Sequence, residues 1–455
     1  MEVDRSAHAL IIDPRAAKTV YAATADGVLQ SRDGGASWRP VNEGFPLLSD
    51  GTVAVSIRAL VVDPRATTTL YAGGTPQYDP VTSTPGSGGV FILTQESQRW
   101  RRVNEGLPTS SDGTASVFAL AVAPDEAGTI FAGTDQGVFR SNDSGRHWYS
   151  ADAPIPDGVA GFIDALAVDP PTPSTVYAGT NAGIFKSTDG GSHWAATDLG
   201  SGPSINALAI DPQHPNIVYA GTSSGVLKSI DAGTTWTSAS AGLGNEPAYP
   251  SVNALAIDPS RPDIVYAATT YGVFRSIHAG ASWTAATSGL PTDDAASVLG
   301  VSAIAIDWCT SNTLYAGTVN GVFKSTSAGV LWSNQVAPQC VGDCDHDRSV
   351  SPDEIVAMTA IAGGFGDAAF CTNGDGNGDC RITVDEIVAA VTNAADGCPT
   401  PPPTATSTAT PVGGMPPGTA TPEASPTSGS CLGSGASCFV SFDCCSGVCQ
   451  LRVCE

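Results

Sequence analysis

The chain has 455 residues, of which 44 are Asp or Glu and 20 are Lys or Arg, giving a formal net charge of −24. Its length suits about two to four domains, since a domain commonly holds roughly 100–200 residues. So acidic a chain lacks the Lys and Arg surface that nucleic acid or an anionic membrane needs, and no apolar run approaches the roughly 18 residues of a membrane-spanning helix. We therefore expect neither a nucleic-acid partner nor a membrane span.

A short apolar segment recurs seven times within residues 1–338. The first copy runs from Ala9 to Pro14, and the others begin at Ala59, Ala119, Ala165, Ala207, Ala254 and Ala303. Two further apolar runs follow in each copy, which then reaches a Trp: Trp38, Trp100, Trp148, Trp194, Trp236, Trp283 and Trp332. Because the runs are short, rich in β-branched and aromatic residues, and separated by Gly, Pro and Asp, they predict strands. Four strands per copy, at about 48 residues each, predict a seven-bladed β-propeller.

The third predicted strand of a copy runs into a Ser-x-Asp-x-Gly-x-x-Trp pattern. The pattern is intact in four copies: Ser31–Trp38, Ser141–Trp148, Ser187–Trp194 and Ser229–Trp236. It resembles the Asp-box, or BNR, repeat of sialidase-like propellers. His278 and Ser327 replace the Asp in the sixth and seventh copies, and the second copy has no recognisable box before Trp100.

The physical interpretation of the box is a folded turn, rather than a catalytic or metal-binding site. Its Ser hydroxyl and Asp carboxylate can accept hydrogen bonds from turn amides, its Gly permits a positive φ, and its Trp fills the gap between sheets. The resemblance implies that the boxes lie on the face away from the active site. We therefore expect the loss of a box Asp to cost stability and not activity.

Long, variable segments fall on the opposite face if the strands of each blade run outward from the axis. They are residues 41–57, 101–117 and 284–301 and the insertion Pro76–Gly89. Variable loops on a repetitive scaffold commonly carry binding sites. The residue at the start of each innermost strand also varies: His8, Arg58, Phe118, Asp164, Asn206, Asn253 and Ser302. We predict that His8, Arg58, Asp164, Asn206 and Asn253 bind ligand at the channel mouth; the alternative is that they are ordinary strand residues.

The resemblance also raises a glycoside hydrolase as an alternative function. Sialidases of the family use three Arg around a carboxylate, an acid, and a Tyr activated by Glu. Here only Arg58 begins an innermost strand, and no Phe-Arg-Ile-Pro element precedes the first blade. Other glycosidases need two acids at a set separation, for which the loop-rich side offers Asp50, Asp79, Asp112 and Asp164.

We expect no catalytic residues and a non-catalytic propeller that binds a glycan or a protein ligand. The alternative is an extracellular sialidase-like or xyloglucanase-like hydrolase that uses the loop-rich side. A photosystem II stability factor, which has this kind of propeller, is a third alternative, and the modules that follow the propeller argue against it.

Residues 339–398 hold 11 acidic residues and two Arg, a net charge of −9. The segments Asp343–Glu354 and Asp375–Glu386 carry oxygen ligands at positions 1, 3 and 5, an apolar residue at 8 and Glu at 12, which is the pattern of an EF-hand calcium loop. A backbone carbonyl at position 7, from Ser349 or Arg381, completes each set. The predicted ligands of two Ca²⁺ ions are Asp343, Asp345, Asp347, Ser349 and Glu354 in the first loop, and Asp375, Asn377, Asp379, Arg381 and Glu386 in the second.

Each calcium loop leads into one short predicted helix, so the pair resembles a dockerin module. Position 6, usually Gly, is Arg348 in one loop and Cys380 in the other, which predicts a strained turn and a weaker affinity for calcium. The resemblance implies a cohesin partner. Positions 10 and 11, Pro352-Asp353 and Val384-Asp385, differ from the small or hydroxylated residues of the family and argue against that partner.

Residues 399–430 are rich in Pro, Thr, Ser and Gly and predict an extended linker. Residues 431–455 contain six Cys, and so short a segment is stable only with disulfides or a metal; the lack of His partners favours disulfides. The spacing resembles a cystine-knot miniprotein, which implies the pairs 431–445, 438–449 and 444–454, although spacing alone allows fifteen connectivities. The pairing among Cys309, Cys340, Cys344, Cys371, Cys380 and Cys398 also stays open.

The predicted fold class is mainly β: a propeller over 1–338, a small α-helical calcium module over 339–398, a linker over 399–430 and a disulfide-rich tail over 431–455. Residues Met1–Arg5 show no basic stretch leading into an apolar one, so no signal peptide is visible. The 12 Cys, the linker and the calcium loops nevertheless favour an oxidising exterior. We expect a monomeric, secreted or cell-surface protein with an export signal upstream of the visible N-terminus.

Overall fold

The computed structural model describes most of residues 6–334 and two helices beyond them. The described residues are 6–65, 69–79, 81–82, 84–94, 96–110, 115–124, 128–151, 162–199, 202–244, 249–293, 297–334, 344, 350–362, 382 and 384–396. The predicted linker 399–430 and the predicted tail 431–455 lie outside them.

Seven antiparallel sheets confirm the predicted seven-bladed β-propeller; six have four strands and the last has three. Blades 1 and 2 are β1 (Ala7–Asp13), β2 (Ala16–Thr24), β3 (Gly27–Ser31), β4 (Arg39–Pro40), β5 (Val55–Val62), β6 (Thr69–Pro76), β7 (Gly89–Thr94) and β8 (Arg101–Arg102). Blades 3 and 4 are β9 (Val117–Val122), β10 (Ile130–Thr134), β11 (Gly137–Ser141), β12 (Tyr149–Ser150), β13 (Ile163–Val168), β14 (Val176–Thr180), β15 (Gly183–Ser187) and β16 (Ala195–Ala196). Blades 5 to 7 are β17 (Ile205–Ile210), β18 (Val218–Thr222), β19 (Gly225–Ser229), β20 (Thr237–Ser238), β21 (Val252–Ile257), β22 (Val265–Thr269), β23 (Gly272–Ser276), β24 (Thr284–Ala285), β25 (Val301–Ile306), β26 (Leu314–Thr318) and β27 (Gly321–Ser325).

The first strand of every blade lines the central channel, because β1, β5, β9, β13, β17, β21 and β25 contact one another in a closed ring. The second strands are buried between neighbouring blades, and every residue of β14, β18, β22 and β26 is buried. Glycine in these strands lets the blades approach closely, since a Cβ added at Gly179 would lie 2.5 Å from Cγ2 of Ile205 in the next blade. The hydrophobic core therefore lies between the blades.

Five of the recurrent Trp residues donate a hydrogen bond to the preceding blade, whereas Trp236 donates to Gly233 O of its own turn. Trp148 Nε1 donates to the carbonyl oxygen of Val103 at 2.8 Å, and Trp332 Nε1 donates to that of Ala286 at 2.7 Å. Trp148 and Trp332 are also buried against the same neighbours. Each of these rings therefore contributes both apolar burial and one hydrogen bond to a blade interface.

A second set of contacts joins each of blades 4 to 7 to the following blade. Tyr177 Oη and Lys186 Nζ both donate to the carbonyl oxygen of Ala232, at 2.9 and 2.7 Å, and the Lys186 ammonium lies 5.6 Å from the Tyr177 ring centroid. The same contact closes the ring, since Tyr315 Oη of blade 7 donates to Gly34 O of blade 1 at 3.2 Å. The repeated Tyr and Lys positions are thus interface residues.

Two helices follow the propeller: α1 (Pro352–Ala362) and α2 (Val384–Asp396). They begin at the ends of the two predicted calcium loops, where the sequence predicts helices. Val350, Met358, Ile382 and Ala390 form a small buried cluster between them. Within the described residues, no helix combines the length and the apolar character needed to cross a membrane.

Candidate functional site

The strand order of the blades defines two different faces. The turns between first and second strands and the predicted boxes lie on one side, which we call the box face. The connections from each outer strand to the next innermost strand lie on the other side, which we call the loop face. Two of these connections form small hairpins, with bridges between Leu47 and Val53 and between Thr292 and Val298.

A β-bulge lies near the start of every innermost strand, on the loop face. In blade 1, Ala7 pairs with Thr24 and Ala9 with Ala23, which leaves His8 as the extra residue. The extra residues of all seven blades are those predicted to ring the channel mouth: His8, Arg58, Phe118, Asp164, Asn206, Asn253 and Ser302. A bulge changes the direction of a side chain and interrupts the regular strand pairing. Because every blade has this bulge, each blade places one variable residue at the same position of the mouth.

Three of the predicted ligand-binding residues connect neighbouring blades. His8 Nδ1 lies 3.0 Å from the carbonyl oxygen of Ile57, and Asn206 Nδ2 donates to that of Val252 at 3.1 Å. Asn253 Nδ2 donates to Val301 O at 2.9 Å. In each case the acceptor directly precedes the bulge residue of the next blade, so these polar groups hold the ring of blades together.

Arg58 and Asp164, the other two predicted residues, are exposed at the mouth. Among the described residues, neither side chain has a hydrogen-bonding or ion-pairing partner. Partial burial of the Asp164 carboxyl raises its pKa although the residue remains accessible.

Two aromatic side chains, Phe118 and Phe162, stand between Arg58 of blade 2 and Asp164 of blade 4 in the sequence. The ring centroids of Phe118 and Phe162 are 5.1 Å apart, with an interplanar angle of 87°. Phe162 is 51% exposed. The sequence interpretation missed Phe162, which directly precedes β13 and stands two residues before Asp164.

Asp79, one of the candidate acids, fixes the insertion to the preceding connection. Its carboxylate accepts hydrogen bonds from Ser49 N and Ser49 Oγ, both at 2.8 Å, and from Val81 N and Thr82 N at 2.8 and 3.0 Å. These hydrogen bonds hold the pKa of Asp79 well below its usual range.

The carboxylate of Asp50, another candidate acid, accepts hydrogen bonds from Thr52 N and Thr52 Oγ1, which lower its pKa. Asp112 lies outside the described residues.

The insertion also brings apolar side chains to the surface of the loop face. The exposed side chains are Tyr78 and Val81 of the insertion and Leu47 of the preceding connection. The carboxylate of Asp79, which lies between Tyr78 and Val81 in the chain, is engaged in hydrogen bonds. The sequence interpretation named the insertion and not these side chains. Single apolar residues at a surface are ordinary, and the group adds contact area beside blades 1 and 2.

On the box face, the Asp carboxylates have the predicted turn geometry. Asp189 Oδ1 accepts from Ser187 Oγ and from His193 N, both at 2.9 Å, while Ser187 Oγ accepts from Gly191 N at 2.9 Å. Hydrogen bonds to the turn lower the pKa of Asp143, Asp189 and Asp231 to about 2. These carboxylates are engaged by their own turns, which fits a structural role.

The two copies that lack the box Asp keep the rest of the turn. In blade 6, Gly280 N still donates to Ser276 Oγ at 2.9 Å, and in blade 7 Gly329 N donates to Ser325 Oγ at 3.0 Å. The Ser–Gly hydrogen bond therefore defines the turn, and the Asp adds to it.

The last Glu of each predicted calcium loop is buried at the start of a helix. Glu354 Oε1 accepts from Cys344 N at 2.6 Å and Oε2 from Ser351 N at 2.7 Å, so the carboxylate folds back over its loop. Val350 and Ile382, the apolar residues at position 8, are buried too. This arrangement fits a carboxylate that closes a calcium loop.

The other predicted calcium ligands lie outside the described residues: Asp343, Asp345, Asp347, Ser349, Asp375, Asn377, Asp379 and Arg381. In the part of the chain that the structure describes, no group of three His, Cys, Asp or Glu side chains could hold a metal ion. Calcium binding therefore stays a prediction.

No protein-family model and no curated protein matches the chain. A GH74 enzyme from Niastella koreensis shares the fold, with a TM-score of 0.58 and 18% identity over 74% of this chain and 55% of that one. The GH74 xyloglucanase from Xanthomonas campestris has a TM-score of 0.59 and 20% identity over 72% of this chain and 54% of that one. The extracellular domain assigned to a one-component system of B. thetaiotaomicron has a TM-score of 0.52 and 15% identity over 71% of this chain and 39% of that one. The chain spans about half the length of the two enzymes, and these likenesses show a shared β-propeller fold alone.

Proposed function

We propose that the chain is a secreted, modular recognition protein whose propeller binds a glycan or protein ligand on the loop face. The observation that carries this proposal is the contrast between residues at the same bulge position. His8, Asn206 and Asn253 hold neighbouring blades together, whereas Arg58 and Asp164 are exposed without a polar partner among the described residues. Charged groups that the fold does not use are available to a ligand.

A glycan array and a peptide array, each probed with the full-length protein, test this proposal. We expect saturable capture that falls at least about tenfold in Arg58→Ala, as for a central interface residue, with an unchanged midpoint of thermal unfolding. Deletion of Pro76–Gly89 should also weaken capture. Ser302→Ala, at the same bulge position in blade 7, is the matched control and should bind as the parent does. Absence of capture on both arrays would contradict the proposal.

The proposed extracellular location is supported by cysteine chemistry. Cys309 and Cys344 are disulfide-bonded. Cys309 is the one Cys of residues 1–338. Disulfides persist in oxidising compartments, and one of the structural neighbours is an extracellular domain.

The second part of the proposal is that residues 339–398 form an EF-hand-like module that binds two Ca²⁺ ions. The buried carboxylate of Glu354, folded onto the backbone of its own loop, supports it. Titration calorimetry of the full chain should show two sites with dissociation constants of about 10⁻⁴–10⁻³ M. Glu354→Gln and Glu386→Gln should each remove one site, while Glu43→Gln on the propeller should remove none. Lack of saturable uptake below about 10 mM Ca²⁺, well above that range, would contradict it.

A glycoside hydrolase is the second candidate function. The fold shared with two GH74 enzymes and the raised pKa of Asp164, a property of general acids, favour it. The hydrogen bonds that engage the carboxylates of Asp50 and Asp79 weigh against either as its catalytic partner. We expect no new reducing ends when the protein is incubated with xyloglucan. Release that Asp164→Asn abolishes would establish the hydrolase instead.

A further inference from the structure

Two aromatic rings and one carboxylate belong to blades 3 and 4 at the channel mouth: those of Phe118, Phe162 and Asp164. The two rings meet edge to face at 5.1 Å, and Phe162 is half exposed. Asp164 follows Phe162 by two residues, is exposed, and has no polar partner among the described residues. The chain that enters blade 4 therefore brings an exposed aromatic ring and, two residues later, an exposed carboxylate to the mouth.

A cation is the group that this pair of features attracts most strongly. Aromatic ring faces attract ammonium groups, and a partly desolvated carboxylate is stabilised by a nearby positive charge. The net charge of −24 also attracts cationic partners to the protein. Arg58, the other charged group at the mouth, belongs to blade 2 and is separated from Asp164 by Phe118 of blade 3 in the order of the blades.

The remaining polar groups of the mouth favour a polypeptide over a sugar. Recognition of a sugar needs several hydrogen-bonding groups around its hydroxyls. The imidazole of His8 and the amide nitrogens of Asn206 and Asn253 already bind backbone carbonyls between blades. A side chain with a long apolar stem and a single charged end needs only what Phe118, Phe162 and Asp164 offer.

We propose that Phe118, Phe162 and Asp164 bind a lysine side chain of a partner polypeptide, with its stem against the rings and its ammonium at the carboxylate. This inference rests on the proposed recognition function and names the class of ligand. The protein would then select exposed lysine on another protein.

Three short peptides on a biosensor surface, with Lys, norleucine or Glu at the centre of a Gly-Ser background, test the inference with the full-length protein. Norleucine has a similar apolar stem without the charge. We expect the Lys peptide to bind about tenfold more tightly than the norleucine peptide, and the Glu peptide to bind least. Asp164→Asn should remove the difference between Lys and norleucine, and Phe162→Ala should weaken both.

Asp50→Asn is the matched control, because Asp50 is an exposed acid of the same face whose carboxylate is engaged by Thr52. It should bind all three peptides as the parent does. Equal binding of Lys and norleucine, or equal effects of the two Asp→Asn variants, would overturn the inference. If a glycan array shows capture that depends on Arg58 while the peptides do not bind, the lysine inference fails and the recognition function stands. If neither the glycans nor the peptides bind, both proposals fail.

Discussion

Aspartates occur on both faces of the propeller, and their surroundings differ. On the box face, Asp189 accepts hydrogen bonds from a serine hydroxyl and a backbone amide of its own turn, and its pKa is lowered to about 2. On the loop face, Asp164 has no such partner among the described residues, and partial burial raises its pKa. Residue type therefore does not distinguish a structural from a functional aspartate here, whereas the hydrogen bonds of each carboxylate do.

The largest loss of stability is expected at a blade interface. Trp283 is 3% exposed, and its Nε1 donates to Ala239 O at 2.7 Å. Trp283→Ala should lower the free energy of unfolding by about 3–5 kcal/mol, because it opens a cavity between blades 5 and 6. Chemical denaturation measures the change. At a temperature where the variant is folded, ligand capture should persist; its loss there would show that the two properties are not separable.

A smaller loss of stability is expected from the box turn itself. Ser187→Ala removes the acceptor of the Gly191 amide and the donor to Asp189, so the free energy of unfolding should fall by about 1–3 kcal/mol. Ser302→Ala on the loop face provides the comparison and should change stability by less than about 0.5 kcal/mol. Equal losses in the two variants would contradict the structural role of the box.

Acid should destabilise the turns of the box face. The pKa values of Asp143, Asp189 and Asp231 are lowered to about 2 by turn hydrogen bonds, so their stabilising contribution is complete above the unfolded pKa and is lost as the pH falls towards about 2. Asp164 changes the free energy of unfolding in the opposite direction, because its raised pKa means that the charged carboxylate disfavours folding. Thermal melts from pH 5 to pH 2 should show a steeper loss in the parent than in the triple Asp→Asn variant.

The smallest expected effect is a gain of stability on restoring the missing Asp of the blade 6 turn. His278 stands where intact boxes have Asp, and the Ser276–Gly280 hydrogen bond of its turn is already in place. His278→Asp should add carboxylate hydrogen bonds and raise the free energy of unfolding by about 0.5–1.5 kcal/mol. His278→Asn tests whether the charge is needed. A loss of stability in both variants would show that blade 6 cannot accept the box geometry.

The fold could be predicted because it is repeated. Seven copies of one strand pattern fix the blade number, and the box turn follows from hydrogen bonds between residues two and four positions apart. Local interactions of this kind are visible in a sequence.

The site was predicted only in part, because it depends on contacts between distant segments. The acceptors of His8, Asn206 and Asn253 lie in the next blade, so their structural use could not be seen from the sequence. Asp79 was considered a candidate acid because the sequence could not show that Ser49, 30 residues away, engages its carboxylate. Phe162 was missed because its ring contact with Phe118 joins two blades.

Two variants make the same chemical change on each face and so separate stability from recognition. Thermal unfolding and ligand capture are measured together for Asp189→Asn and Asp164→Asn. Asp189→Asn should lower the unfolding midpoint and leave capture unchanged, whereas Asp164→Asn should weaken capture by about tenfold and leave the midpoint unchanged or slightly raised. If the two variants lose stability and capture in the same proportion, the assignment of structure to one face and recognition to the other is wrong.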